Sequence, residues 1–310
     1  MTACETVVVG AGMAGIACAR ALADAGHPVL VLDKGRAIGG RIATRVTRAG
    51  WRFDHGAQYV RSDDLDLNAF LQTATTDGHA ASWTDETDLR CVGMPGMRAL
   101  VAHLAGELEV RQSVEISAIE HDGAHFVLTA EAHQYHCTRL VVTAPAPQIP
   151  ALVGLDDPVS GQIANVRYAP CLTLMAAFKA GVRTDAPDCA RDPTDEIGWI
   201  ARDSSKPGRE GATWVAQANP AWSAAHLERD KAEIADLMLP KLCAYLDVPI
   251  SAVVYQAAHR WRYAHVVAPL GQPFIGDQDG RRYFGGDWCL GPRIDAAWQS
   301  GRAIAKAMAA

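Results

Sequence analysis

A chain that runs TVVVGAGMAGIACARALADAGHPVLVLDKGRAIGGR from Thr6 to Arg41 has few folds open to it. Thr6–Val9 is a short apolar strand. Gly10, Gly12 and Gly15 follow at the GxGxxG spacing, ahead of a helix predicted from about Met13 to Ala25. The first glycine permits a tight turn, the second lets a pyrophosphate approach the backbone, and the third lets helix and strand pack closely. The phosphates then face a helix N-terminus, where unpaired N–H groups and the helix dipole favour negative charge. A second strand ends on Asp33, about twenty residues past the first glycine, where a carboxylate accepts from ribose hydroxyls. Glycine turns also arise for purely steric reasons, but here strand, helix, second strand and acid are all in register, and a dinucleotide site is the reading. Gly39, Gly40 and Arg41 add another close backbone approach and a cation able to neutralise phosphate.

With 310 residues the chain is long enough for two lobes with cores of their own. A net charge of −6 without a basic run excludes a diffuse attraction to nucleic acid or anionic lipid. The eight cysteines show no CxxC and no His/Cys spacing for zinc, so reduced thiols in a cytoplasmic protein and no metal site are expected. Val7–Ala19 has the length of a signal-peptide core but lacks a basic flank, and Arg20 and Asp24 break the apolar character immediately after it. It reads as strand plus buried helix, with no membrane span.

The GxGxxG turn, the acid and GGR resemble the N-terminal FAD fingerprint of the flavoprotein superfamily that contains amine oxidases and renalases. Four later stretches extend the resemblance over essentially the whole chain. Asp54–Tyr59, DHGAQY, is similar to a renalase segment lying against the flavin. The helix opening Gly96-Met97 and the stretch VRQSVEISAIE resemble the part where a valine backbone, here Val114, touches adenine. Leu140–Pro145, LVVTAP, resembles a buried strand ending beside the cofactor at Ala144 and Pro145. Tyr283–Ala310 resembles the closing flavin motif, in which the aspartate holds the ribitol chain and a helix N-terminus points at the cofactor. The physics of that last stretch agrees, with glycine for close approach, a carboxylate for hydroxyls and a dipole end for negative charge. The resemblance implies an α/β fold in which a Rossmann-like FAD-binding domain interleaves with a smaller α+β substrate domain, of p-hydroxybenzoate hydroxylase or amine oxidase type. The expected division is 1–65, 94–150 and 268–310 for FAD, with 66–93 and 151–267 for substrate. It further implies non-covalent FAD held by Gly10, Ala11, Gly12, Met13, Ala14, Gly15, Asp33, Lys34, Gly39, Gly40, Arg41, His55, Gly56, Ala57, Gln58, Tyr59, Val114, Ala144, Pro145, Gly286, Asp287, Pro292, Arg293, Ile294 and Ala297.

Between these motifs, residues 63–88 are polar and acidic, with a short helix at Leu65–Thr75 and a crossing toward the second lobe. Apolar periodicity predicts helices over Arg98–Leu108 and Ala225–Leu246. Strands are expected at Glu109–Val114, Ile116–His121, His125–Ala130, Arg139–Thr143, Arg167–Lys179, Thr213–Ala218 and Ser251–Tyr263. An Asp122-Gly123 turn makes a hairpin, and Pro145, Pro147 and Pro150 mark a domain crossing.

DHGAQY, HRWRYA at 259–264, GGDWCLGPR and a reduced substrate domain set the resemblance nearer to renalases than to true amine oxidases. That implies oxidation of the 2- and 6-dihydro isomers of NAD(P), with hydride passing to flavin and electrons to O2 as hydrogen peroxide. The pocket residues expected from this are Gln58, Tyr59 and His259 as the catalytic group, with Trp214, Gln217, Asn219, Trp261 and Trp288 against the substrate. Trp214 and Trp261 read equally well as core residues, and His259 as a satisfied structural histidine. Two other readings stay open: an amine oxidase, for which no clear tyrosine pair or matching lysine is found, and a non-enzymatic FAD-binding redox module.

Overall fold

A computed structural model describes residues 2–83, 90–131 and 133–310 of the chain. The opening strand β1 (Thr2–Val9) feeds α1 (Met13–Asp24), and β2 (Val29–Leu32) returns parallel beside it with Val7 opposite Leu30. Runs such as VVV and VLVL are buried on both sides, as parallel strands require. Val7, Leu30 and Leu32 join one core cluster, while Val8 and Val31 join the other. A hairpin of β3 (Thr44–Val46) and β4 (Arg52–Asp54) follows, then α2 (Leu65–Thr76), β5 (Ala80–Ser82), β6 (Cys91–Gly93) and α3 (Arg98–Ala105). Residues 84–89, the end of the acidic crossing, lie outside the described residues. Next come β7 (Glu109–Arg111), β8 (Ala118–His121), β9 (Phe126–Ala130) and β10 (His133–Val142). The hairpin expected at Asp122-Gly123 joins β8 to β9, and β10 lies parallel to β1 on the side away from β2.

After α4 (Ile149–Val153) and α5 (Pro158–Gln162), a second sheet is built from β11 (Arg167–Phe178), β12 (Cys189–Arg191), β13 (Ile197–Arg202) and β14 (Thr213–Ala218). Its remaining strand comes after α6 (Pro220–Ala225) and α7 (Lys231–Leu246), as β15 (Val253–Ala268). This sheet is antiparallel throughout, in the order β12-β13-β14-β11-β15. Side chains alternate across it. Leu172, Leu174, Trp214, Ala216 and Ala258 pack on Ile234, Met238 and Leu242 of α7. Met175, Ala177 and Val215 face the other way, onto Phe53 of β4, so this second face looks back at the first lobe. The chain closes with β16 (Phe274–Gly276), β17 (Arg282–Gly285) and α8 (Ile294–Ala309), which complete the first sheet in the order β16-β17-β10-β1-β2-β7. Helix α8 lies so close on α1 that a Cβ at Gly301 would come within 2.1 Å of the Ala14 carbonyl oxygen.

Several expected elements change, among them β10, expected at Arg139–Thr143 but already begun at His133, and β8, which starts at Ala118 rather than Ile116. The helix expected over Ala225–Leu246 starts only at Lys231, because α6 ends at Ala225 and α7 begins behind Asp230 in extended conformation. The helix begun at Arg98 stops at Ala105, where Gly106 takes a φ of 51°. The strand expected to reach Val114 ends at Arg111, before Ser113 at φ 58°. The strand begun near Ser251 starts at Val253 and runs on to Ala268. Among the described residues, no helix is long and apolar enough to cross a membrane, and no cluster of His, Cys, Asp and Glu could hold a metal ion.

Candidate active site

A cavity of about 1580 Å³ opens between the carboxyl ends of the parallel strands and the inward face of the antiparallel sheet. Its floor is the glycine turn. Gly10 takes a φ of +109°, open to glycine at little cost, and a Cβ on Gly15 would come within 1.9 Å of the Gly10 carbonyl oxygen. Gly12 caps α1 with no side-chain partner for the helix N–H groups, and nothing lies within 4 Å of where its Cβ would be. Those N–H groups are thus left for an anion. Asp33 accepts from Ala11 N and Gly35 N, both at 2.6 Å, so one carboxylate ties the turn to the end of β2.

Arg41, expected at phosphate, holds Asp287 in a two-pronged ion pair of 2.7 and 2.6 Å. It also donates to the Tyr263 and Ala264 carbonyls of β15. The opening and closing motifs therefore meet directly, and both residues line the cavity. Of the expected cofactor residues, Ala11, Gly15 and His55 do not line it. Ala11 acts through its backbone, Gly15 through close packing, and His55 from behind Trp261.

The roof is one row across the five-stranded sheet. Arg191, Trp199, Gln217, Thr173 and His259 are successive cross-strand partners, and directly opposed residues share a face. All but Thr173 line the cavity, and Trp261 and Asn219 join them from one step along. Floor and roof are pinned together: Gln217 Nε2 donates to Gly56 O at 2.8 Å, and Trp261 Nε1 to His55 O at 2.6 Å. The His55 ring lies 5.4 Å from Trp261 and 4.8 Å from His259. Burial, with Arg45 nearby, pushes His55 down to about 4. Burial and the neighbouring His55 push His259 down to about 3. Both imidazoles are neutral at neutral pH, and the Nδ1 atom of each is buried without a partner.

Two expected substrate residues are not in the cavity. Trp214 belongs to the face that packs on α7, since it stands three residues from Gln217 and so points the opposite way. Trp288 is fully buried, donates to Ala144 O at 3.2 Å and packs in the core of the first lobe. Asn219 does line the cavity, but its side chain accepts from Trp222 N and caps α6.

Comparison with known sequences decides the family. The profile of an NAD(P)-binding Rossmann-like domain matches residues 8–74, and that of the flavin containing amine oxidoreductases matches residues 75–309. The chain belongs to the flavin-containing amine oxidoreductases. FAD is the cofactor of this flavoprotein, and the glycine cradle, the uncapped α1 and the Arg41–Asp287 pair are chemically suited to its phosphates and hydroxyls. An L-amino-acid oxidase from Echis ocellatus is 40% identical over 80 residues, which cover 22% of this chain and 16% of that protein. One from Mus musculus is 43% identical over 70 residues, covering 22% and 11%. The chain thus matches less than a fifth of those relatives' length. In fold it is similar to putrescine oxidase bound to putrescine, at TM-score 0.69, 13% identity and 98% coverage of both chains. It is likewise similar to a protein assigned as a protoporphyrinogen oxidase from Exiguobacterium sp. 255-15, at TM-score 0.75, 12% identity and coverage of 99% and 98%.

Two features of this flavoprotein escape sequence reasoning. Arg90 lies over three rings, 5.1 Å from Tyr59, 5.6 Å from Trp83 and 5.5 Å from Trp199. A fully buried ionic group also sits behind Gln58, where Lys206 reaches Asp203 at 2.6 Å, Asp54 at 3.2 Å and Gln58 Oε1 at 3.2 Å. Arg209 completes it against Asp54 at 2.6 Å. Burial raises the Asp54 carboxyl, but Lys206 and Arg209 more than offset this and hold it below the usual range. Asp54 is remote in sequence from Asp203, Lys206 and Arg209, and no local pattern marks it as their partner.

Proposed function

We propose that this flavoprotein is a renalase-like oxidase of dihydronicotinamide dinucleotides, acting on the 2- and 6-dihydro isomers of NAD(P) and yielding NAD(P)+ and hydrogen peroxide. The observation that supports this reading is the roof, where Gln217, a neutral His259 and Trp261 face the cavity side by side, uncharged groups suited to a neutral dihydropyridine ring rather than to an ammonium.

In this reading the chain's residues orient and exclude water rather than shuttle protons. Gln58, its amide oxygen held by Lys206 and its nitrogen by the Asp54 and Gly56 carbonyls, forms a fixed wall, and Gln217, anchored on Gly56, sets the opposite side of the ring site. His259, neutral and lining the cavity, presents an uncharged imidazole to the substrate side, and Trp261 supplies an apolar face. Non-covalently bound FAD would accept the hydride and hand its electrons to O2. Holding donor ring and acceptor in fixed contact is the protein's share of catalysis. We assign residues 1–65, 94–150 and 268–310 to cofactor binding, and 66–93 and 151–267 to the substrate side.

The similarity to L-amino-acid oxidases favours a second reading, oxidation of amines or amino acids. A donor panel separates the two. Peroxide formation with 2- or 6-dihydro-NAD(P), matched mole for mole by NAD(P)+, supports the first. Peroxide from putrescine or L-amino acids and none from dihydronicotinamides overturns it.

A further inference from the structure

We propose that Arg191 forms an oxyanion subsite that takes the pyrophosphate of the substrate, an inference that rests on the dihydronicotinamide reading. The cations around the cavity are mostly committed. Arg41 is paired with Asp287, Arg262 with Glu228, Arg293 with Asp295 and Lys34 with Glu115. Arg191 lines the same cavity, is exposed, and forms no ion pair among the described residues. Its guanidinium lies 5.6 Å from the Trp199 ring centre, which steadies the side chain without using its donors. Asp192 follows at a φ of 48° and also lines the cavity, yet it does not pair with Arg191 among the described residues.

Position then selects the anion. Arg191 ends the row Arg191–Trp199–Gln217–Thr173–His259. Neighbouring strands lie about 4.8 Å apart, so Arg191 stands roughly 10 Å from Gln217 and roughly 19 Å from His259. A substrate ring held between Gln217 and His259 reaches Arg191 only through a spacer. The ribose of a dinucleotide provides one. The carboxylate of an α-amino acid, one bond from the reacting carbon, does not. A planar guanidinium with several donors suits a phosphate in particular.

The test compares two donors on the FAD-loaded protein and its Arg191→Gln and Arg191→Lys variants: 6-dihydro-NAD and the phosphate-free 6-dihydronicotinamide riboside. Under anaerobic mixing, Arg191→Gln should raise the dinucleotide concentration needed for half-maximal flavin reduction roughly tenfold and leave its limiting rate unchanged. The riboside should be unaffected, and Arg191→Lys should restore part of the loss. Equal effects on both donors, or none on either, overturn the subsite. So does an Arg191→Gln loss confined to L-amino acids, since the anion would then be a carboxylate. If neither dihydronicotinamide reduces the parent protein, the functional reading fails and calorimetry with inorganic pyrophosphate judges the subsite alone. Saturable binding abolished by Arg191→Gln supports it, and no binding or unchanged binding overturns it.

Discussion

Replacing Gly12 with alanine separates the cofactor role of the glycine turn from its structural one. A Cβ at Gly12 meets nothing within 4 Å, and the local φ of −80° is open to alanine. Stability of the FAD-free protein should stay within about 0.5 kcal/mol of the parent, or rise slightly because alanine has fewer unfolded conformations to lose. The empty space is where the pyrophosphate has to approach the backbone. If the methyl group costs what an overpacked contact costs, about 1–3 kcal/mol, the FAD dissociation constant rises roughly 5- to 150-fold. Gly15→Ala is the contrasting case. Its Cβ would lie 1.9 Å from the Gly10 carbonyl oxygen, so the turn itself has to shift and the FAD-free protein should lose stability as well. Thermal melts of the FAD-free proteins and titration by quenching of flavin fluorescence read the two effects apart. Parent-like FAD affinity in Gly12→Ala, or equal destabilisation by both substitutions, would refute the placement of the phosphates.

Buried groups give three further outcomes. His55 is held near 4 when folded against 6.5 when free, so the unfolded chain binds the extra proton between those values and stability falls as pH drops through that window. The loss should reach about 2 kcal/mol by pH 5, with His259 acting in the same direction, and His55→Asn should flatten the urea midpoints measured at pH 5 and pH 7.5. Lys206→Met leaves two buried carboxylates paired, among the described residues, with Arg209 alone and should cost about 3–5 kcal/mol in urea unfolding, part of it recovered by adding Asp203→Asn. Cys289 is fully buried and outside the cavity lining, and burial pushes its thiol up to about 12, so it offers no thiolate to the flavin. Acid precipitation should therefore leave a colourless pellet, and yellow protein would contradict non-covalent binding.

The glycine turn was legible because each part of it is local: strand, turn, helix and acid lie within about thirty residues and obey one spacing rule. The same holds for Gln217, His259 and Trp261, which sit on strands whose alternation is visible. Trp214 shows what could have been read more closely. Odd spacing from Gln217 excludes a shared face on one strand, so the two residues were never compatible as pocket walls. Asp230 is the comparable signal for the helix start, an acid of helix-starting type ahead of Lys231. Other features had no local mark. Trp288 lies beside Asp287 in sequence, yet the short helical turn there sends its ring into the core. Arg90 meets Tyr59 and Trp199 only once β6, β13 and the loop after β4 are assembled. The ionic group around Lys206 likewise joins parts of the chain about 150 residues apart through contacts that only the fold creates.

The most direct measurement is anaerobic rapid mixing of the FAD-loaded protein with single donors while the flavin absorbance is followed. Bleaching by 2- or 6-dihydro-NAD(P), saturating with donor concentration, while putrescine and L-amino acids leave the yellow colour intact, is the predicted result. Bleaching by amines or amino acids without bleaching by dihydronicotinamides, or bleaching by neither class, would contradict the account.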